Sequence, residues 1–218
     1  GPSDIDFDML DIFEIHDIDT KNFSVHQDVE LINLTNHNED FYQFGGWISQ
    51  QMLKLLAIHY CEDDNILIQD CDTYLLKPHN FFPTNNVDSL VIKNETHHPD
   101  YYNFIEKILR ITRQTQDCFV TEFMPISKVS WNNMINRIEK IHDQYWFDAI
   151  YNIYKSNYKK DHFMMFSEYE LLGNWQLYDD NNFSVTPQIR YESKTWQDSI
   201  DESLYTSYCL KPFPRKYV

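Results

Sequence analysis

Three branched apolar residues in a row, Ile66, Leu67 and Ile68, are followed at once by two carboxylates one residue apart, Asp70 and Asp72. A short apolar run of this kind is what a strand buried in a sheet shows, so Asn65 to Pro78 reads as a core strand whose acids fall where the run stops. In open α/β sheets ligands collect just outside the carboxyl ends of the strands. Two hard oxygen ligands at such an end are placed to hold a divalent cation against a phosphate. The competing reading of Asp-Cys-Asp is a polar turn after a strand, and the rest of the chain has to decide between the two.

A chain of 218 residues is long enough to bury one core, and nothing in it suggests two. Gly1-Pro2-Ser3 reads as a scar of protease cleavage, which leaves residues 4–218 as a single compact domain. The formal charge of -16 argues against a nucleic-acid-binding surface, which gains affinity from clustered Lys and Arg. The same charge means that an anionic ligand must be met by a bound cation and by one or two placed lysines. With 4 glycines in all, the chain cannot supply a Gly-rich phosphate loop. Cys61, Cys71, Cys118 and Cys209 show neither CxxC pairing nor metal-ligand spacing with the 9 histidines, which implies a reducing, cytoplasmic setting (host cytoplasm for a viral protein). No apolar run approaches the length of a membrane span.

Along the chain, Asp4 to Ile15 fits a strand or a short amphipathic helix, and Phe23 to Leu34 reads as one or two strands. After Gly45-Gly46, Trp47 to Tyr60 is a helix with Ile48, Met52, Leu55, Leu56 and His59 on one stripe. Trp47, Gln50 or Gln51, and Lys54 share the neighbouring face, where an indole, an amide and an ammonium can meet a nucleotide and its phosphates; the plainer reading is a half-buried helix with a solvated lysine. Ser89 to Ile92 is a short strand, Tyr101 to Thr112 a helix, and Phe119 to Lys128 a strand with Glu122 in its middle. Ser130 is expected to cap a helix from Trp131 to His142, and Gln144 to Tyr154 follows as another. Phe163 to Phe166 reads as a buried strand that ends in Ser167-Glu168-Tyr169-Glu170, a capping box that opens a further helix. Phe183 to Val185 and Gln188 to Tyr191 read as strands, and Thr195 to Tyr208 as a last helix.

Two strand ends therefore carry acids. One pair can hold a metal while a separate carboxylate acts as base on a hydroxyl. Glu170 is explained as the cap, which ranks Glu168 ahead of it for chemistry; the plainer role for Glu168 is to face the helix dipole. The D-x-D at Asp70 and Asp72, with the runs from Trp47 to Leu55 (WISQQMLKL), Phe119 to Lys128 (FVTEFMPISK) and Phe166 to Trp175 (FSEYELLGNW), resembles a family of bacterial and viral proteins. That family is known largely as a domain of unknown function and is regarded as glycosyltransferases of the GT-A fold. The resemblance spans Gly45 to Trp175. It implies that Asp70 and Asp72 hold Mn²⁺ or Mg²⁺, that Trp47, Gln51, Lys54 and Asp70 contact the donor, and that Glu168 faces the acceptor. UDP is named as the donor nucleotide on that resemblance alone. A third metal ligand is not identified, with Asp198 one possibility, and the base-binding residues are not assignable.

The expectation is thus an α/β chain: one GT-A-like domain with a mixed, mostly parallel sheet flanked by helices. Its expected activity is metal-dependent transfer of a sugar from a nucleoside-diphosphate sugar to a glycan or other hydroxyl acceptor, with some donor hydrolysis. The alternatives are a sugar-nucleotide-binding domain without turnover and a metal-dependent nucleotidyltransferase or phosphohydrolase. No nucleic-acid partner is expected.

Overall fold

The computed structural model describes residues 31–32, 35, 46–70, 73–75, 79–82, 88–92, 98–158, 165–179, 183–187, 190–193 and 207–210. Chain contacts divide the protein into two units, Gly1–Asn38 and Glu39–Val218. In the first, Leu31 and Ile32 are helical rather than extended, and the Thr35 N–H and hydroxyl both donate to the Ile32 carbonyl, at 2.9 and 2.8 Å. The Asp4 to Ile15 segment lies outside the described residues.

The second unit runs α1 (Gly46–Tyr60), β1 (Asn65–Gln69), β2 (Thr73–Leu75), β3 (Asp88–Ile92), α2 (Pro99–Leu109), β4 (Phe123–Ser127), α3 (Lys128–His142), α4 (Trp146–Asn157), α5 (Glu168–Asp179), β5 (Phe183–Pro187), β6 (Arg190–Ser193) and β7 (Ser207–Leu210). Helices and strands are interspersed along the chain, an α/β class of fold. The strand pairing is mixed: β1 with β4 and β2 with β7 are antiparallel, while β3 with β5 and β6 with β7 are parallel. Among the described residues these strands form three separate small sheets rather than one.

Because its described neighbour is antiparallel, β1 has one face on the core and one turned away. Ile66 and Ile68 are buried while Leu67 is 37% exposed, so the apolar run is half-buried rather than enclosed on both faces. The helix that begins β4's return is opened by Ser127, not by Ser130. Ser127 is still extended (φ -79°, ψ 149°) at the strand end, and its Oγ accepts from the Ser130 N–H at 3.1 Å, which fixes the start of α3 at Lys128. The Lys128 ammonium then donates to the Ile58, His59 and Cys61 carbonyls at 3.0, 2.8 and 2.5 Å, and so satisfies acceptors that the last turn of α1 leaves open. Helix α2 takes Pro99 into its first turn and stops at Arg110, a left-handed residue with φ 55°, short of Thr112. Ser207–Leu210 is strand, so the expected last helix does not reach Tyr208, and residues 195–206 lie outside the described set.

The interior is built around α5, in which every residue from Glu168 to Gln176 is buried. A helix enclosed on all sides needs small residues where neighbours come close, and Gly173 fills that need. A Cβ at position 173 would land inside the Phe119 ring. Gly173→Ala should therefore lower stability by about 1–3 kcal/mol through overpacking, read as a lower denaturant midpoint; an unchanged midpoint would mean that α5 can move away from Phe119.

A pH dependence follows from His59, whose ring lies among Tyr60, Trp131, Tyr145 and Trp146. Burial, and then the Lys128 ammonium, lower its imidazole below the ordinary 6.5, with Glu139 pulling weakly the other way. The unfolded chain accepts a proton below 6.5 that the folded chain refuses. This group's contribution is therefore complete above that pH and is lost as the pH falls from 6.5 through the folded value. Urea midpoints should drop as the pH falls below 6.5, and His59→Phe should flatten that part of the profile. An identical profile in the variant would assign the drop to other groups.

Candidate functional site

Three elements meet at the carboxyl end of β1. On α1, residues 47, 51 and 54 are spaced at i, i+4 and i+7 and share a face, and all three side chains bond the segment that opens α5. The Trp47 Nε1–H donates to the Phe166 carbonyl at 3.3 Å, and Gln51 Oε1 accepts from the Glu168 N–H at 3.3 Å. Lys54 Nζ donates to Glu168 Oε1 at 2.7 Å and to Asp70 Oδ1 at 2.5 Å. Gln51 is buried and Gln50 exposed, which settles which amide belongs to the stripe.

Asp70 is held by its backbone as well. Its N–H donates to the Glu122 carbonyl at 3.1 Å, extending the β1–β4 ladder by one residue. Glu122 presents that carbonyl from a left-handed conformation, φ 64°, and is itself buried. A side chain with a Cβ is disfavoured there by about 1–2 kcal/mol, so the surrounding packing must hold it. The expected strand from Phe119 is interrupted at this point, and β4 begins at Phe123.

Tyr169 completes the cluster, although no sequence motif gives it a role. Its hydroxyl donates to Asp70 Oδ1 at 2.9 Å, and the Lys54 ammonium stands 4.5 Å from its ring centroid. The local signal was its position beside Glu168 at a helix start, but only the packing of α5 on α1 shows what it touches. Glu170 points elsewhere. Successive helical residues turn by about 100°, so carboxylates two apart cannot share a face as they would in a strand. Ser167 Oγ accepts from the Glu170 N–H at 3.4 Å, as a cap should. The Glu170 carboxylate, however, accepts from the Phe119 N–H at 3.1 Å and from Asn174 Nδ2 at 3.1 Å, so it ties α5 to the Phe119 segment rather than closing a capping box. Met165 and Phe166 are buried but not in a strand, and residues 163–164 lie outside the described residues.

The electrostatics follow from burial. Desolvation alone would lower the Lys54 pKa, but the Glu168 and Asp70 carboxylates outweigh it and raise the value, so the ammonium stays charged. Burial pushes the Glu168 carboxyl above the ordinary range, although Lys54 resists this. Glu168 is 0% exposed, and among the described residues its Oε2 has no hydrogen-bond partner. With both acids ionised, one ammonium against two carboxylates leaves the cluster one negative charge in excess.

The Asp70 carboxylate is of the hard oxygen type that divalent cations take, and its Oδ1 is occupied by the Lys54 ammonium at 2.5 Å. Asp72, the other expected ligand, lies outside the described residues, as does Asp198. Among the described residues no three His, Cys, Asp or Glu side chains gather as metal ligands. Nor, among those residues, is any helix long and apolar enough to cross a membrane.

The fold and site define a mixed α/β protein with an acid–lysine cluster at a strand end. The chain belongs to a family of unknown function, DUF6492, whose profile matches residues 8–201. No curated protein and no solved structure matches it.

The ion bridge itself can be tested. Breaking a buried pair from one side typically costs about 3–5 kcal/mol, and less where a partner is partly exposed, as the Lys54 side chain is at 15%. Lys54→Met should lower the denaturant midpoint because Glu168 loses its counter-ion, and adding Glu168→Gln should restore part of the loss. Simply additive losses would show that the two side chains are not coupled.

Proposed function

We propose that this protein is a metal-dependent, GT-A-like glycosyltransferase. In this reading it moves a sugar from a nucleoside-diphosphate sugar, with UDP as the nucleotide, to a hydroxyl acceptor and hydrolyses some donor on its own. The observation that supports this best is the meeting of Lys54, Asp70 and Glu168 at the carboxyl end of β1, from positions 16 and 114 residues apart in the chain. The match to a family of unknown function neither adds to this reading nor opposes it.

Each residue has a chemical task. Asp70 and Asp72 would hold Mn²⁺ or Mg²⁺, and a bound cation would neutralise the diphosphate as it leaves. Lys54 carries its charge on a flexible four-carbon stem and can exchange a carboxylate for a phosphate oxygen. Gln51 and Trp47 hold the segment from which Glu168 projects. Glu168 is the assigned base: Oε1 is occupied by Lys54, while Oε2 is the oxygen left to take a proton from the acceptor hydroxyl. Its raised pKa suits that task, and departure of Lys54 toward the diphosphate would increase its basicity further.

Three measurements test the division of roles. UDP with Mn²⁺ should raise the melting temperature more than either alone, since a ligand at about 100 times its Kd stabilises by roughly 2.7 kcal/mol; an equal shift by UDP in EDTA would rule out a metal bridge. Asp72→Asn should remove the metal-dependent part of nucleotide binding, because an amide is a poor ligand for a hard cation. Glu168→Gln should leave donor and metal binding near the parent values and slow transfer by about 10² to 10⁴ fold. Transfer at the parent rate would move the base elsewhere, with Glu122 and then Glu170 the next to examine.

A further inference from the structure

We infer that binding of a phosphate-bearing ligand at Lys54 is coupled to uptake of a proton by Glu168; this rests on the proposed exchange of a carboxylate for a phosphate oxygen at Lys54. The two acids that share the ammonium are not equivalent. The Asp70 side chain is 23% exposed, and its Oδ1 also accepts from the Tyr169 hydroxyl at 2.9 Å, so water and the phenol still serve Asp70 when Lys54 turns away. Glu168 is 0% exposed, its Oε1 accepts from Lys54 at 2.7 Å, and its Oε2 has no hydrogen-bond partner among the described residues. Departure of Lys54 therefore strands a carboxylate in the interior. A buried acid without its counter-ion takes a proton rather than stay charged.

Among the described residues, the charged and titratable groups whose fields bear on Glu168 are Lys54 on α1, Asp70 at the end of β1, Tyr169 beside it on α5 and Tyr101 on α2. Lys54 alone of these is a cation. Burial, and then the nearby acids, push both phenols up, Tyr101 to about 12, so neither supplies or removes charge near neutrality. With Lys54 in place, burial already holds the Glu168 carboxyl above the ordinary range, and the ammonium is what restrains it. Withdrawing that ammonium removes the restraint, while the Asp70 charge pushes the same way as burial. The carboxyl thus binds its proton more tightly in the ligand complex than in the free protein. By linkage, binding takes up a proton between the two values, and ligand affinity falls as the pH rises through that range. The proton comes from solvent, and in a donor complex Glu168 becomes the ionised base only when it gives that proton up again.

The test is calorimetric titration of UDP, with Mg²⁺ present, into the parent and into Glu168→Gln, in buffers of different ionisation enthalpy across a pH series. The variant subtracts the protons that UDP itself exchanges. We expect the parent to take up more protons than the variant, with the excess approaching about one per UDP between the free and bound values of Glu168. UDP binding with equal proton counts at every pH overturns the inference. If the parent binds no UDP, the meeting of Lys54 with a phosphate fails and takes this inference with it. Should Glu168→Gln not fold, infrared difference spectra of the parent give a second readout. Adding UDP should bring up the carbonyl stretch of a protonated carboxylic acid, and a UDP complex without that band overturns the coupling. Lys54→Met keeps the stem and removes the ammonium, so it should show the band with no UDP present. Its absence there would mean that Glu168 stays ionised without its counter-ion, which overturns the inference as well.

Discussion

An ammonium held between two carboxylates, one of them fully buried, is the interaction on which the rest of the site depends. Lys54 reaches Asp70 at the end of β1 and Glu168 at the start of α5, and so joins three elements through one charged group. Taking three charges out of water costs several kcal/mol per ion, and only close geometry repays it. Such a cluster is weak evidence for stability, but it is well suited to exchange. A diphosphate offers Lys54 more negative charge than either carboxylate does, and a divalent cation offers the carboxylates more positive charge than Lys54 does. In the proposed reading, this arrangement is a resting state whose partners would be replaced by the two halves of a metal–nucleotide complex.

The scaffold holds this cluster with backbone features and with buried polar side chains. Glu122 adopts a left-handed conformation so that its carbonyl can meet the Asp70 N–H. Lys128 anchors the far end of α1 by accepting no bonds and donating to three carbonyls, which fixes the helix that carries Lys54. Glu170 and Asn174 fix α5 on its opposite side: Asn174 Oδ1 accepts from the Gln114 N–H at 2.8 Å, and the Glu170 carboxylate accepts from the Phe119 N–H. Gly173 lets the Phe119 ring lie directly against the helix. The first turn of α5 is thus positioned from both faces, and the directions of Glu168 and Tyr169 follow from that.

Much of this was legible in the chain because it is local. The 3.6-residue period of Ile48, Met52, Leu55 and Leu56 marks α1, and the same period puts Trp47, Gln51 and Lys54 on one face. Ser167 as a helix opener, and strands at Asn65–Gln69 and Asp88–Ile92, also follow from short-range patterns. What was not legible is non-local. A run of three apolar residues cannot reveal that its neighbour is antiparallel and that Leu67 faces away from the core. Ser127 and Ser130 are equally good caps by composition, and the choice depends on where β4 ends. Glu168 and Glu170 look alike in the sequence, yet one meets Lys54 and the other Phe119, because the segment is helical from its first residue. Tyr169 gave no signal of its own, since its partner, Asp70, lies 99 residues away.

We propose that the acids at the end of β1 serve a cation that acts on a nucleoside-diphosphate sugar. The most direct measurement needs no knowledge of the acceptor. The protein is incubated with a panel of nucleotide sugars, and release of free nucleoside diphosphate is followed with Mn²⁺ and again with EDTA. The account predicts release from at least one UDP-sugar that depends on Mn²⁺ and is abolished by chelation. Release that is unchanged in EDTA, or no release from any nucleotide sugar, would contradict it.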